Sequence, residues 1–225
     1  MGLLDALMHF SKGRSRRNLY PWLHEAIAAY GLRQAGSVLN IGAGGEIADA
    51  LARDGIRATA VDINPARRPD LLASIETLES IGDGTVDAIF CLEVLEHVAS
   101  PEAAAASIRR VLRPGGLLIG STPFLLGIHD QPHDYYRYTF HGLRHLFSAF
   151  EPLDLRERNG YFAAVAVLIT RRFAVGTAAE RKLAALLSPI LLPLSFVLEA
   201  LDWIFPAKDG TTGYFFVFRK PAATP

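Results

Sequence analysis

A chain of 225 residues that is 50% hydrophobic and carries 13 Phe has enough apolar material for one domain with an insertion, which excludes a disordered protein. Lys plus Arg and Asp plus Glu both total 23, so no global field draws the chain toward nucleic acid, although KGRSRR (Lys12–Arg17) is locally basic. The single cysteine, Cys91, excludes an internal disulfide, and charges that follow rather than precede the first apolar run are the reverse of a signal peptide, so a cytoplasmic location is expected.

Residues 19–35 read as an entry helix, with Trp22, Leu23, Ala26, Ile27 and Tyr30 at helical spacing. SVLNIG (37–42) is a short apolar run of the kind found in strands covered on both faces. Ile47, Ala50 and Leu51 give the next segment a helical apolar face, and Gly55 ends it. IRATAVDI (56–63), LLASI (71–75) and VDAIFCL (86–92) are the second, third and fourth strands. A helix follows with Ser100 as N-cap and Pro101 in its first turn; RPGG (113–116) stops it, and LLIGSTP (117–123) is the fifth strand. FHGLRHLFSAF (140–150) reads as a helix, PLDLRER (152–158) as a sixth strand, GYFFVFRK (213–220) as a strand and AATP (222–225) as a frayed tail.

Strands alternating with helices imply a Rossmann-like, doubly wound α/β sheet. The expected division is an N-terminal helical segment (1–35), a core (36–160 plus 211–220) and an apolar helical insertion (161–210).

In such a sheet the ligand sits beyond the carboxyl ends of the strands, where strand order reverses. Gly42 and Gly44 leave the first strand in a turn that lets backbone approach a ligand, and Asp62, 20 residues beyond Gly42, can accept from ribose hydroxyls. These features serve a nicotinamide dinucleotide or S-adenosylmethionine alike. The third glycine of G-x-G-x-x-G is however Ile47, and the spacing G-x-G-x-G puts Glu46 in its place. A carboxylate there repels a pyrophosphate but tolerates a sulfonium carrying an amino group, so the loop favours S-adenosylmethionine.

VLNIGAGGE (38–46), AVDINP (60–65), GTVDAIFCLEVLEHVASP (84–101), IRRVLRPGGLLIGSTP (108–123) and HDYYRYTFHGLRHLF (133–147), in this order, resemble class I S-adenosylmethionine-dependent methyltransferases. The similarity is to the small-molecule, type 11-like branch, which includes ubiquinone-biosynthesis-type O-methyltransferases. It implies seven strands with the last antiparallel. It further implies that Gly42 and Gly44 lie against the amino-acid part of the cofactor, Asp62 holds the ribose and Ile63 packs on adenine. Ser74 and Ile75 would lie at the adenine edge, with Cys91 and Glu93 beside the methionine moiety and the acceptor. Asn40 stands where an Asp is frequent and keeps hydrogen-bonding capacity. Glu46 must avoid φ > 0 or bear αL strain.

Methyl transfer from a sulfonium is an in-line displacement in which the protein mainly positions the acceptor. A hydroxyl acceptor also needs a base, for which His133, His97 and His129 are candidates; His97 can equally be a cap of its turn. Residues 127–140, GIHDQPHDYYRYTF, can be an acceptor site in which Tyr135 and Tyr136 offer aromatic faces and Arg137 meets an anionic group. They can equally be a packed loop in which Asp and Arg pair. H-D-x-x-H-D offers metal ligands, but Pro132 and the short spacing make metal-free chemistry the expectation. The turn CLEVLEHV lacks the Asn/Asp-Pro-Pro-aromatic pattern of base-amine methylation, so no nucleic-acid substrate is expected.

Leu183–Leu198 contains no charge but holds Pro189 and Pro193, and a single crossing of a bilayer would strand GYFFVFRK away from its sheet. Residues 161–205 are then a helical subdomain covering the site or forming a homodimer, or a helix pair lying peripherally on the inner face of a membrane, with Arg171, Arg172, Arg181 and Lys182 at headgroups. The expected function is methyl transfer from S-adenosylmethionine to a small-molecule or lipid-linked acceptor, at oxygen. The alternatives are a catalytically degenerate accessory protein and an NAD-type oxidoreductase.

Overall fold

A computed structural model describes residues 3–175, 177–207 and 209–222; residues 223–225 of the expected tail lie outside them. The chain divides into two compact units: Tyr20–Thr122, Asp130–Arg156 and Phe215–Pro225 in one, and Met1–Leu19, Pro123–His129 and Glu157–Tyr214 in the other. The expected N-terminal segment 1–35 is therefore split, with residues 1–19 assigned to the helical unit and 20–35 to the sheet unit.

Helix α1 spans Leu3–Ser15 and α2 Leu19–Ala29. Then come β1 (Val38–Ile41), α3 (Gly45–Arg53), β2 (Thr59–Asp62), β3 (Leu71–Leu72), β4 (Val86–Leu92), α4 (Pro101–Val111) and β5 (Leu112–Pro123). The chain continues through α5 (Phe140–Leu146), β6 (Glu151–Glu157), α6 (Tyr161–Val175), α7 (Ala178–Ile204) and β7 (Gly213–Arg219). The strands form one sheet in the order β3-β2-β1-β4-β5-β7-β6. β1 through β5 pair in parallel, with Ile41 beside Cys91 and Cys91 beside Gly120. β7 runs antiparallel to β5, Lys220 exchanging backbone bonds with Gly115 and Gly116.

Burial explains the apolar runs. All four residues of β1 are buried, as are Ile89 through Leu92 of β4 and Tyr214 through Phe218 of β7. Phe216 lies over Gly120, where a β-carbon would fall 2.1 Å from the ring, so close backbone packing requires glycine there. Phe147, Phe216 and Phe218 form an aromatic cluster with centroids 5.1–5.7 Å apart. Trp22 of α2 packs on Phe215, under the Arg156 guanidinium.

Several elements differ from expectation for local reasons. β3 stops at Leu72 because Ser74 Oγ accepts from the Glu76 amide and turns the chain. Ser100 stands at the N-cap of α4 without a side-chain cap; its amide instead donates to Glu76 Oε1. RPGG is not a free turn: β5 begins at Leu112 and absorbs it through a register shift opposite Val86/Ala88 and a positive φ at Gly115. α5 ends at Leu146, and Phe147 and Phe150 then turn into the core. A capping box of Thr177 and Glu180 starts α7.

In the helical unit α6 packs against both α1 and α7. Asp202 of α7 accepts from the first amides of α6, Phe162 and Ala163, each at 2.9 Å. Asn159 Oδ1 takes the amide and hydroxyl of Thr212, whose hydroxyl also donates to Ser15 O at the end of α1. The basic cluster of residues 12–17 is partly paired: Arg14 and Arg17 both meet Glu199.

Candidate active site

Strand order reverses between β1 and β4, so the crevice beyond their carboxyl ends is the place for a ligand. Gly42 and Gly44 leave β1 with φ of 87° and 81°. A β-carbon on Gly42 would press on Val94 Cγ2 at 3.0 Å, whereas one on Gly44 or Gly45 would meet nothing within 4 Å, so the far side of the loop is open. Glu46 lies in the first turn of α3 without a positive φ; its carboxylate accepts from Tyr20 Oη at 3.1 Å. The strain expected of a carboxylate in a glycine position is avoided because the helix begins one residue earlier, and the helix dipole favours an acid there.

Asp62 ends β2 and is the keystone of the loop. Its Oδ2 accepts from the Ala43 amide at 2.9 Å and its Oδ1 from the Asn64 amide at 2.8 Å. Arg67 donates to Ala43 O and stands 3.8 Å from Asp62 Oδ2. A carboxylate has about four acceptor sites, so each oxygen keeps capacity for a ribose hydroxyl. Ile63 beside it is 71% exposed, an apolar surface open to a flat ring. Asn40 is buried, and its Oδ1 has no hydrogen-bond partner among the described residues. An orphaned buried acceptor at the strand end matches an N–H-bearing ligand. This loop therefore fits S-adenosylmethionine.

Two expected cofactor contacts are corrected. Cys91 has no exposed surface inside β4, and burial, reinforced by the charge of Glu96, pushes its thiol upward, so the side chain belongs to the core rather than to a ligand contact. Ile75 is likewise buried, with its carbonyl accepting from Ser107 Oγ, while Ser74 serves its own turn. Glu93 does sit at the crevice. It holds φ of 58°, its amide donates to Ser121 O and its Oε1 accepts from Ser121 Oγ, both at 2.8 Å. A non-glycine residue at such φ stores backbone strain, a feature that clusters at functional sites.

Beyond β4, the 3-10 turn Leu95–His97 and residues 130–139 interlock. Glu96 O accepts from the amides of Tyr135 and Tyr136, Tyr138 Oη donates to Leu95 O, and Tyr136 Oη donates to Ala99 O. His97 Nδ1 lies 2.6 Å from His133 O. A carbonyl only accepts, so Nδ1 carries a hydrogen in this contact. Nε2 stands 3.8 Å from Glu96 Oε1 and 4.0 Å from Asp130 Oδ2. His133 is exposed, its Nδ1 2.8 Å from Tyr135 Oη. His129 falls in the helical unit, where its Nδ1 lies 3.3 Å from Gly127 O.

Arg137, expected at an anionic group, instead grips Asp134 in a fork with contacts of 2.6 and 2.7 Å. That hydrogen bonding holds the guanidinium's pKa above its ordinary value, and the Asp134 side chain is only 1% exposed. The pair shapes the loop, and it also closes Asp134 within H-D-x-x-H-D. Tyr135 and Tyr136 remain exposed, as an aromatic face requires. Sequence reasoning missed Glu96, a wholly buried acid, whereas the packed-loop alternative already had Asp and Arg paired, and the i,i+3 spacing of Asp134 and Arg137 is what pairs them.

Comparison with known proteins agrees with this geometry. Residues 39–120 match the family model of a methyltransferase domain. The ubiquinone biosynthesis O-methyltransferase of Xanthomonas oryzae is 37% identical over 100 residues, covering 38% of this chain and 42% of that protein. The chain thus spans less than half the length of such curated relatives. A SAM-dependent methyltransferase from Archaeoglobus fulgidus superposes with a TM-score of 0.56 at 15% identity, over 94% of this chain and 99% of the other. The Burkholderia thailandensis 1,6-didemethyltoxoflavin-N1-methyltransferase, solved with its substrate and S-adenosylhomocysteine, gives a TM-score of 0.52 at 18% identity, over 96% and 87%. The fold is that of class I S-adenosylmethionine-dependent methyltransferases, and residues 39–120 match a methyltransferase domain whose glycine loop fits that cofactor.

Proposed function

We propose that the protein transfers a methyl group from S-adenosylmethionine to the hydroxyl oxygen of a small or lipid-linked aromatic acceptor, with His97 taking the hydroxyl proton. The observation that carries this reading is the 2.6 Å contact of His97 Nδ1 with His133 O, which commits Nδ1 as a donor and leaves Nε2 as the ring nitrogen to take the proton at the carboxyl edge of β4. When bound, the cofactor supplies an electrophilic methyl on a good leaving group. Asn40, Gly42, Gly44, Asp62 and Ile63 would hold it, and Glu93 would border the transferred group. The carboxyl groups of Glu96 and Asp130 stand 3.8 and 4.0 Å from the nitrogen that would receive the proton. Exposed Tyr135 and Tyr136 would stack on the acceptor ring. The name of the Xanthomonas relative supports oxygen as the acceptor atom.

The test is S-adenosylhomocysteine release over a panel of phenolic and polyprenyl-linked hydroxyl compounds. His97→Asn keeps a donor for His133 O but has no basic nitrogen, so it should lower kcat by about a hundredfold while leaving S-adenosylhomocysteine binding intact. Equal turnover in this variant removes His97 from the mechanism. Binding without turnover across the panel favours an accessory protein.

A further inference from the structure

The helical unit carries its polarity the wrong way round for a water-facing helix. From Ser188 onward α7 turns its polar residues inward. Ser188 and Ser195 are buried, Ser195 Oγ accepts from Arg14, Glu199 pairs with Arg14 and Arg17, and Asp202 caps α6. Its outward stripe is Leu183, Leu186, Ile190, Leu194, Val197 and Ile204, spaced by three, four and seven residues and 42–74% exposed. Trp203, beside the end of the stripe, is 92% exposed. The stripe runs about 30 Å along the helix at about 1.5 Å per residue, too long and continuous to be scattered surface apolar residues.

We propose that this face of α7 docks, lying in the plane of the surface, on an anionic lipid bilayer. Charge decides between lipid and a second copy of the chain. Arg181 and Lys182 are exposed at the start of the stripe. The carboxylates of α7 all have partners within the unit: Glu180 with Arg172 and the Thr177 amide, Glu199 with Arg14 and Arg17, and Asp202 with the start of α6. An antiparallel second α7 would set Arg181 and Lys182 against an end whose acids face inward, and a parallel one would set cations beside cations. Anionic headgroups supply the missing partner, and an aromatic residue such as Trp203 suits the boundary between headgroup and acyl chain. Of the four cations expected at headgroups, Arg172 is held by Glu180 and Arg171 Nη1 is buried, which leaves Arg181 and Lys182. A single crossing is disfavoured by connectivity, because β6 leads into α6, α7 leads back to β7 and both strands belong to one sheet, and the 15 residues of α6 fall short of the ~20 that a return crossing needs. This surface does not depend on the methyl-transfer reading.

The experiment is flotation of the full chain with phosphatidylcholine vesicles, with and without phosphatidylglycerol, read also by tryptophan emission. Trp22 is packed against Phe215, so a lipid-induced blue shift reports Trp203, and Trp203→Phe should abolish it. Co-flotation with phosphatidylglycerol vesicles is expected, together with roughly a tenfold or greater loss of binding in Leu186→Ser/Ile190→Ser. Because both positions are exposed, this variant should retain its circular dichroism and its S-adenosylhomocysteine binding. Absence of flotation, or flotation indifferent to the double substitution, overturns the proposal. So does a two-chain mass in sedimentation without lipid that the same variant abolishes, which would assign the face to a second copy.

Discussion

The two units use the same residue types to opposite ends. In the sheet unit Ile89, Phe90, Leu118 and Phe216 are buried with no exposed surface, and charge is left to the rim and the crevice. In the helical unit Leu186, Ile190 and Trp203 face out, while Glu199 and Asp202 hold α7 to its neighbours through charge and backbone amides. The first arrangement is stabilised by removing apolar surface from water; the second adds polar contacts to a smaller apolar core that includes Ala164 and Val167, and leaves the outer face of α7 apolar. Hydrophobicity alone therefore does not mark the core of this protein.

The largest break in that comparison is Ile89→Ala, a cavity in a strand covered on both faces, which should cost about 3 kcal/mol in denaturant unfolding. Leu186→Ala removes a similar residue from the outer face of α7 and should stay within about 0.5 kcal/mol. Equal costs would mean that the α7 face is covered in solution. Asp202→Ala, which strips two amides at the start of α6 of their acceptor, should cost about 1–2 kcal/mol in the helical unit while leaving S-adenosylhomocysteine affinity unchanged.

A smaller effect tests charge in the sheet unit. Asp87 accepts from the amides of Ser37 and Gly36 and pairs with Arg113; the Ser37 bond foremost holds its carboxyl below the usual range. A folded pKa below the unfolded one gives stability that is complete above the unfolded value and lost as pH falls through the folded value. Asp87→Asn should lower stability near neutrality by about 1 kcal/mol and flatten the decline below about pH 4, measured by urea titration across pH. An unchanged acid limb would show that the bonds to Asp87 add nothing to folding.

Much of the site was legible in order along the chain. Glycines at 42 and 44 declare themselves because the turn takes both through positive φ, and an acid at the end of a strand is visible in the chain as Asp62, which accepts from the Ala43 and Asn64 amides. Cys91 and Ile75 were misjudged for a common reason. Position near a strand end does not say which way a side chain points, and β4 is covered so fully that its cysteine faces protein. The opposite fates of His97 and Arg137 depended on partners 36 and 3 residues away, one a backbone carbonyl and the other a carboxylate.

Sequence by itself determined the alternation of strands and helices, the loop chemistry that suits a sulfonium cofactor, and the unusual apolarity of residues 161–205. These follow from periodicity and residue type, which are local. Only the tertiary structure decided that Asp62 locks the loop that it serves, that His97 meets the His133 carbonyl, and that Glu199 and Asp202 of α7 turn toward partners in their own unit. Each of these is a pairing across the chain, and pairing is set by packing, which brings together groups that no local pattern relates.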